Sequence, residues 1–90
     1  MANKIQIDLI GKPGCHLCET AELELAGVLG EFAKTHPESE IQLVQRSILD
    51  DPELAARHSE EIPVVLINGQ MHSYWRVDAK RLTAKLEELT

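Results

Sequence analysis

Cys15 and Cys18, three positions apart, are the two cysteines of a 90-residue chain. Thiols at that spacing either ligate a metal or cluster, or cycle between a dithiol and a disulfide. As a structural staple the pair would be poor, because cross-links gain from closing longer loops and small secreted domains use more cysteines. The pattern places the chain in a reducing cytoplasm, where C-x-x-C is catalytic or metal-binding more often than structural. Cys15 follows the turn Gly11-Lys12-Pro13-Gly14 and opens an apolar period of helical type. Unpaired backbone N–H groups and the helix dipole favour an anion there. A thiolate is such an anion, so Cys15 is expected to ionise below the free-thiol value of about 8.5. Cys18, one turn on, can reach the first sulfur and is shielded by the helix. Cys15 is thus the expected nucleophile and Cys18 the resolving thiol. His16 either adds positive charge that stabilises the thiolate or is an exposed first-turn histidine of little effect.

The elements that must hold this pair are readable from period and punctuation. Ile5, Ile7 and Leu9 alternate with Gln6 and Asp8, and Ile10 extends a first strand. After the Gly-Pro-Gly turn, Leu17, Ala21, Leu25, Val28, Leu29 and Phe32 fall at helical spacing, with Glu19, Glu22 and Glu24 on the other side. Gly27 and Gly30 each weaken that helix by about 1 kcal/mol relative to Ala, and either admit close packing on a sheet or mark fraying. The helix should end before His36-Pro37. Ile41, Leu43 and Val44 predict a second strand ending near Ser47. Asp51 as cap, Pro52 at the first helical position and Glu53 predict a short helix running to about Ser59. Ile62-Pro63-Val64-Val65-Leu66-Ile67 reads as a strand buried on both faces. Asn68-Gly69 is a tight hairpin turn. The return strand alternates Met71, Ser73 and Trp75 with His72 and Tyr74. Asp78 caps a last helix whose inner face is Leu82, Leu86 and Leu89, and Val77 and Leu82 have the spacing of a hydrophobic staple. The order is βαβαββα, an α/β architecture with a mixed four-stranded sheet and three helices, in one domain spanning residues 1–90.

Composition bears on the classes of partner. Nine Lys+Arg against fifteen Asp+Glu give a formal charge of -6, which disfavours nucleic acid and an anionic membrane, because binding there depends on a basic patch. Met1-Ala2-Asn3-Lys4 leads into alternating residues rather than an apolar signal core, and no run approaches membrane-spanning length.

With the dithiol in that frame, Lys12-Pro13-Gly14-Cys15-His16-Leu17-Cys18-Glu19 resembles the active site of glutaredoxin-like proteins. Glu61-Ile62-Pro63-Val64-Val65 is similar to the cis-proline strand of the thioredoxin superfamily, and the resemblance spans essentially the whole chain. More narrowly, Cys-His-Leu-Cys, the Asp-Pro-Glu-Leu helix start and Trp75-Arg76-Val77-Asp78 resemble a short bacterial glutaredoxin-like group. The resemblance implies a thioredoxin fold and a thiol–disulfide oxidoreductase. It implies that Pro63 is cis and faces the dithiol, directing the Ile62 backbone toward a bound disulfide. It assigns Lys12 to a glutathione carboxylate, against the plain reading of a solvated loop lysine. Many glutaredoxins carry C-P-Y-C and a Gly-Gly turn followed by aspartates that grip the glutathione amine. Here His16 and Leu17 separate the cysteines, and Tyr74-Trp75-Arg76-Val77-Asp78 stands in place of that turn. Asp78 could meet the amine, although helix capping explains it equally well. Thioredoxins carry C-G-P-C and a buried acid six residues before the first cysteine, where this chain has Leu9, with Asp8 on the opposite face.

The resemblance further implies no bound cofactor, glutathione as co-substrate, and a disulfide-bearing protein or glutathione mixed disulfide as substrate. A reductase is a further possible partner, and a monomer is the expected state. The alternative is a non-enzymatic binding module, using the cysteines for metal or iron–sulfur ligation or the cleft for a protein partner. A metal site needs converging ligands, about four for structural zinc, and only Cys15, Cys18 and His16 are close in sequence. No metal is therefore expected. His36, His58 and His72 are expected at the surface. The pairs Asp50/Asp51, Glu60/Glu61 and Glu87/Glu88 are expected as caps and solvated faces. One of Tyr74 and Trp75 should pack in the core while the other flanks the cleft.

Overall fold

Strand β1 (Lys4–Gly11) is the centre of the sheet that the alternation predicts. A computed structural model describes residues 4–90; residues 1–3, part of the N-terminal segment read above as no signal core, lie outside the described residues. Helix α1 (His16–Thr35) carries the chain over to β2 (Glu40–Ser47), which pairs parallel to β1 from Lys4↔Glu40 to Gly11↔Ser47. Helix α2 (Pro52–His58) leads to β3 (Val64–Ile67), antiparallel to β1, and β4 (Gln70–Tyr74) returns beside β3 before α3 (Ala79–Leu89). The four strands lie in the order β2-β1-β3-β4. The predicted element order is the observed one.

The core forms where one face of the sheet meets α1 and α3. Ile5, Ile7 and Leu9 of β1 join Val65 and Ile67 of β3, Ala21, Leu25 and Phe32 of α1, and Leu82 and Leu86 of α3. A fully buried Leu or Ile contributes about 1.5–3 kcal/mol by leaving water. The cross-strand partners Ile10 and Val64 are fully buried on the other face. Each local signal has its counterpart. Asp51 accepts from Glu53 N at 2.9 Å, Asp78 accepts from Arg81 N at 3.1 Å, and the staple residues Val77 and Leu82 are both buried. In the hairpin, Asn68 and Gly69 have φ of 51° and 84°, the positive values that a two-residue turn between twisted strands requires. Asn68 is also tied to β1, donating to Gln6 O at 2.8 Å and accepting from Gln6 N at 3.0 Å.

Several expectations need correction. Leu17 is exposed and Cys18 is buried, so the inner face of α1 begins one residue later than the apolar period indicated. Gly27 and Gly30 neither pack closely nor fray: a methyl group built on either meets nothing within 4 Å, and α1 runs through both. The strand containing Pro63 starts only at Val64, after the cis Ile62–Pro63 bond. Most consequential is β4, where pairing steps from Val65↔Ser73 to Leu66↔Met71 and leaves His72 as the extra residue of a bulge. His72 and Ser73 are both buried, while Tyr74 and Trp75 are both exposed. A bulge breaks the period of two, which overturns the expected surface place of His72 and the expected core place of one aromatic. His36 and His58 are partly buried rather than free at the surface. His36 stacks on Phe32 at 4.1 Å between ring centroids, and His58 Nδ1 lies 3.2 Å from Glu61.

Candidate active site at the end of β1

The sheet register places the candidate site segments side by side. Ile10 pairs with Val64, and Val64 with Tyr74, so the next residues along these strands, Gly11, Pro63 and Trp75, form one row at the sheet's end. Ser47 extends it on the other side, opposite Gly11. From that row the turn Lys12-Pro13-Gly14 delivers Cys15 to the head of α1, with Gly14 at a φ of 76°.

Cys15 is the N-cap. Its backbone is extended (φ -97°, ψ 113°), its Sγ accepts from Cys18 N at 3.2 Å, and its carbonyl accepts from Glu19 N at 3.0 Å. A sulfur thus fills the position that Asp or Ser fills at most helix starts. Cys15 and Cys18 are joined as a disulfide with Cα atoms 5.2 Å apart. Cys15 is partly exposed, and Cys18 only 9% exposed. Of the pair, Cys15 is thus the accessible residue and Cys18 the shielded one. Cys18 packs on β1 where there is no side chain: a methyl on Gly11 would stand 2.9 Å from Cys18 Sγ and 3.1 Å from its Cβ.

His16 lies beside the pair with its side chain fully in water, its Nδ1 3.9 Å from Glu19 Oε2. Lys12 is exposed and lines a cleft of about 420 Å³ with Gly14, Cys18, Glu19, Arg46 and Asp50, on the β2 side of the disulfide. Pro63 is fully buried, and the bond before it is cis. Asp78 is three residues beyond Trp75, and its carboxylate caps α3. The fold therefore gathers Lys12, Cys15, Cys18 and Pro63 around the end of β1, with Ile62 just before the row. Asp8, within β1, is buried, accepting from Gln6 Nε2 at 2.9 Å and pairing with Arg46 Nε at 3.3 Å.

At this end Gly11 was not read as part of a site from sequence, and Trp75 only as one of two aromatics of which one should flank the cleft. Gly11 was legible only as a strand breaker. Trp75 has a φ of 70°, a region that costs a bulky residue about 1–3 kcal/mol. Hydrogen bonds hold it there: its backbone N–H donates to Pro63 O at 2.8 Å, and its indole N–H to Glu60 O at 3.1 Å. The signal available was that Tyr74-Trp75 stands where glutaredoxins carry glycines. Trp75 thereby fastens the cis-proline segment to β4 while half of its ring faces water. Among the described residues, no group of three or more His, Cys, Asp or Glu is arranged to hold a metal ion. None of the described helices is long and apolar enough to cross a membrane.

Comparison with known proteins assigns this geometry to a class. Residues 6–87 match the family described as Glutaredoxin-like domain (DUF836). Uncharacterized proteins of Mycobacterium tuberculosis and Mycobacterium bovis are 31% identical over 85 residues, covering 94% of this chain and 86% of theirs. A structural-genomics target protein from X. campestris superposes with a TM-score of 0.69 at 25% identity, covering 93% of this chain and 99% of that one. A thioredoxin variant from Halobacterium salinarum superposes with a TM-score of 0.66 at 14% identity, covering 98% of this chain and 76% of its own, a likeness of fold. The fold is the thioredoxin-like α/β arrangement expected from sequence. The chain belongs to the Glutaredoxin-like domain (DUF836) family, with Cys15 and Cys18 as its C-x-x-C pair.

Proposed function

We propose that the protein is a thiol–disulfide oxidoreductase in which Cys15 attacks and Cys18 resolves. The observation that carries this reading is the cap: Cys15 Sγ accepts the Cys18 N–H at the positive end of a 20-residue helix. A thiolate there gains a charge-assisted hydrogen bond and the dipole, and both favour the ionised, nucleophilic form. Cys15 thiolate attacks one sulfur of a substrate disulfide, forming a Cys15–substrate bond and releasing the other sulfur as a thiolate. Cys18 thiolate, its proton passed to solvent, then attacks Cys15 Sγ. The Cys15–Cys18 bond forms, the Cys15–substrate bond breaks, and the substrate leaves as a second thiol. The substrate disulfide has gained the two electrons that the dithiol lost. Glutathione or a reductase restores the dithiol. In this reading Lys12 receives a carboxylate, Ile62 and Pro63 present backbone to the bound disulfide, and Asp78 meets an amine. A disulfide-bearing protein or a glutathione mixed disulfide is the substrate, and no resident cofactor is needed.

The test is turnover of a glutathione mixed disulfide with glutathione as reductant, comparing wild type with Cys15→Ser. Serine is a strong N-cap, so the variant keeps α1 while losing the sulfur. The expected result is turnover in wild type and none above background in the variant. Equal rates would defeat the reading.

A further inference from the structure

We infer that Gly11 is a positioning residue for the redox pair: its missing side chain makes the room in which the Cys18 sulfur bonds Cys15. The inference rests on the redox reading above and deepens it. The end of β1 runs directly under the first turn of α1. A methyl built on Gly11 meets Cys18 Sγ at 2.9 Å, closer than nonbonded carbon and sulfur can rest, and Cys18 Cβ at 3.1 Å.

Backbone freedom is not the reason for glycine here. The glycines with positive φ are Gly14 and Gly69, so the conformation of Gly11 is open to alanine. What alanine lacks is space: the 3.1 Å approach to Cys18 Cβ is met in both redox states, and the 2.9 Å approach to Sγ is the part that depends on redox state. In the dithiol, Cys18 can turn about χ1 to another helix-compatible rotamer and carry its sulfur away from the added methyl. In the disulfide the sulfur is tied to Cys15 and cannot turn. Nor can the backbone yield readily, since Cys18 N–H is bonded to Cys15 Sγ and Gly11 O accepts from Ile48 N at 2.9 Å. Gly11 therefore favours the oxidised pair over the reduced one, without touching substrate. It also eases the resolving step, in which Cys18 Sγ must reach the sulfur of Cys15 while substrate still occupies it.

The experiment equilibrates wild type and Gly11→Ala in glutathione redox buffers, traps the thiols by alkylation, and reads the oxidised fraction by mass. The variant should shift the equilibrium toward the dithiol by about tenfold, what one overpacked methyl typically costs; for a two-electron couple that raises the potential by about 30 mV. Denaturant unfolding should show the oxidised form destabilised more than the reduced form. Equal midpoints, or equal destabilisation of both forms, would make Gly11 a structural residue only and overturn the inference. If wild type itself forms no reversible Cys15–Cys18 disulfide, the redox reading fails first and takes this one with it. If wild type cycles and the variant matches it, only the role of Gly11 is lost. Should Gly11→Ala not fold, Gly11→Ala combined with Cys18→Ala decides: recovery supports the conflict with the Cys18 sulfur, and continued failure rejects it.

Discussion

Helices α1 and α3 begin with the same local geometry and different atoms. Cys15 Sγ accepts from the N–H three residues on at 3.2 Å, and Asp78 Oδ1 does the same at 3.1 Å. At α3 the acceptor is a side-chain oxygen that no redox change alters, and the helix beyond it is anchored by the fully buried Leu82 and Leu86. At α1 the acceptor is sulfur, weak in a disulfide and strong as a thiolate. One start is a fixed stabiliser; the other changes strength with the redox state of the group that caps it. The hydrogen bond that a carboxylate spends on stability is, at Cys15, available to favour a thiolate, as the proposed function requires.

The larger effect expected from breaking this parallel is at Asp78. Asp78→Ala should cost about 1 kcal/mol of stability, the usual penalty for deleting a cap, and equally in the oxidised and reduced proteins. A loss confined to one redox form would contradict the fixed role of this start. Asp78→Asn sharpens the comparison, because asparagine caps about as well as aspartate but carries no charge. If Asp78 also meets the amine of glutathione, this variant should keep its urea midpoint while the KM for glutathione rises severalfold. An unchanged KM would leave Asp78 a cap alone.

A second difference between the two ends lies in what is buried beside them. His72, at the bulge, has lost its water, its Nε2 has no hydrogen-bond partner among the described residues, and Arg81 and Lys85 face it from α3. Burial first, then the two cations, hold its pKa below the ordinary 6.5, with Asp78 opposing. The folded protein therefore keeps His72 neutral where the unfolded chain has already bound a proton. Stability contributed by this difference is present above about pH 6.5 and is lost as pH falls below it, levelling once the folded-state pKa is passed. Urea midpoints measured from about pH 7.5 down to about pH 5 should fall in wild type and fall less in His72→Leu. Parallel falls would show that the burial of His72 has no such consequence.

The parts of the molecule legible in sequence are those whose chemistry is local. Asp51 and Asp78 announced their helices, Asn68-Gly69 its turn and Val77 with Leu82 a staple, because each depends on atoms within a few residues of its own. The dithiol at the head of α1 belonged to the same class. What could not be read depends on neighbours brought from elsewhere. The bulge at His72 inserts one residue opposite β3 and reverses the faces of everything after it, which no residue in 70–75 marks. Leu17 yields the inner face to Cys18 because the space under that turn is set by Gly11 on another element. Trp75 occupies a left-handed conformation that its side chain disfavours, held by carbonyls of the Glu60–Pro63 segment. Two of these three surprises, Gly11 with Cys18 and Trp75 with Pro63, lie in the row that forms the candidate site. That is where tertiary contacts override local preference and where function is expected to concentrate.

The smallest effect is expected from the residue that sequence placed nearest the chemistry. His16 is adjacent to Cys15, and a protonated imidazole there would favour the thiolate and make the pair more oxidising. Its side chain is fully exposed, and its Nδ1 lies 3.9 Å from Glu19 Oε2. Water screens such a charge, and the nearby carboxylate offsets it. His16→Ala should therefore move the dithiol–disulfide equilibrium by about twofold or less, read in the same glutathione buffers that test Gly11. A shift of tenfold, about 30 mV, would place the imidazole against Cys15 in the reduced protein. The head of α1 would then be tuned by a side chain as well as by its own backbone, and the contrast with the carboxylate-capped start of α3 would widen.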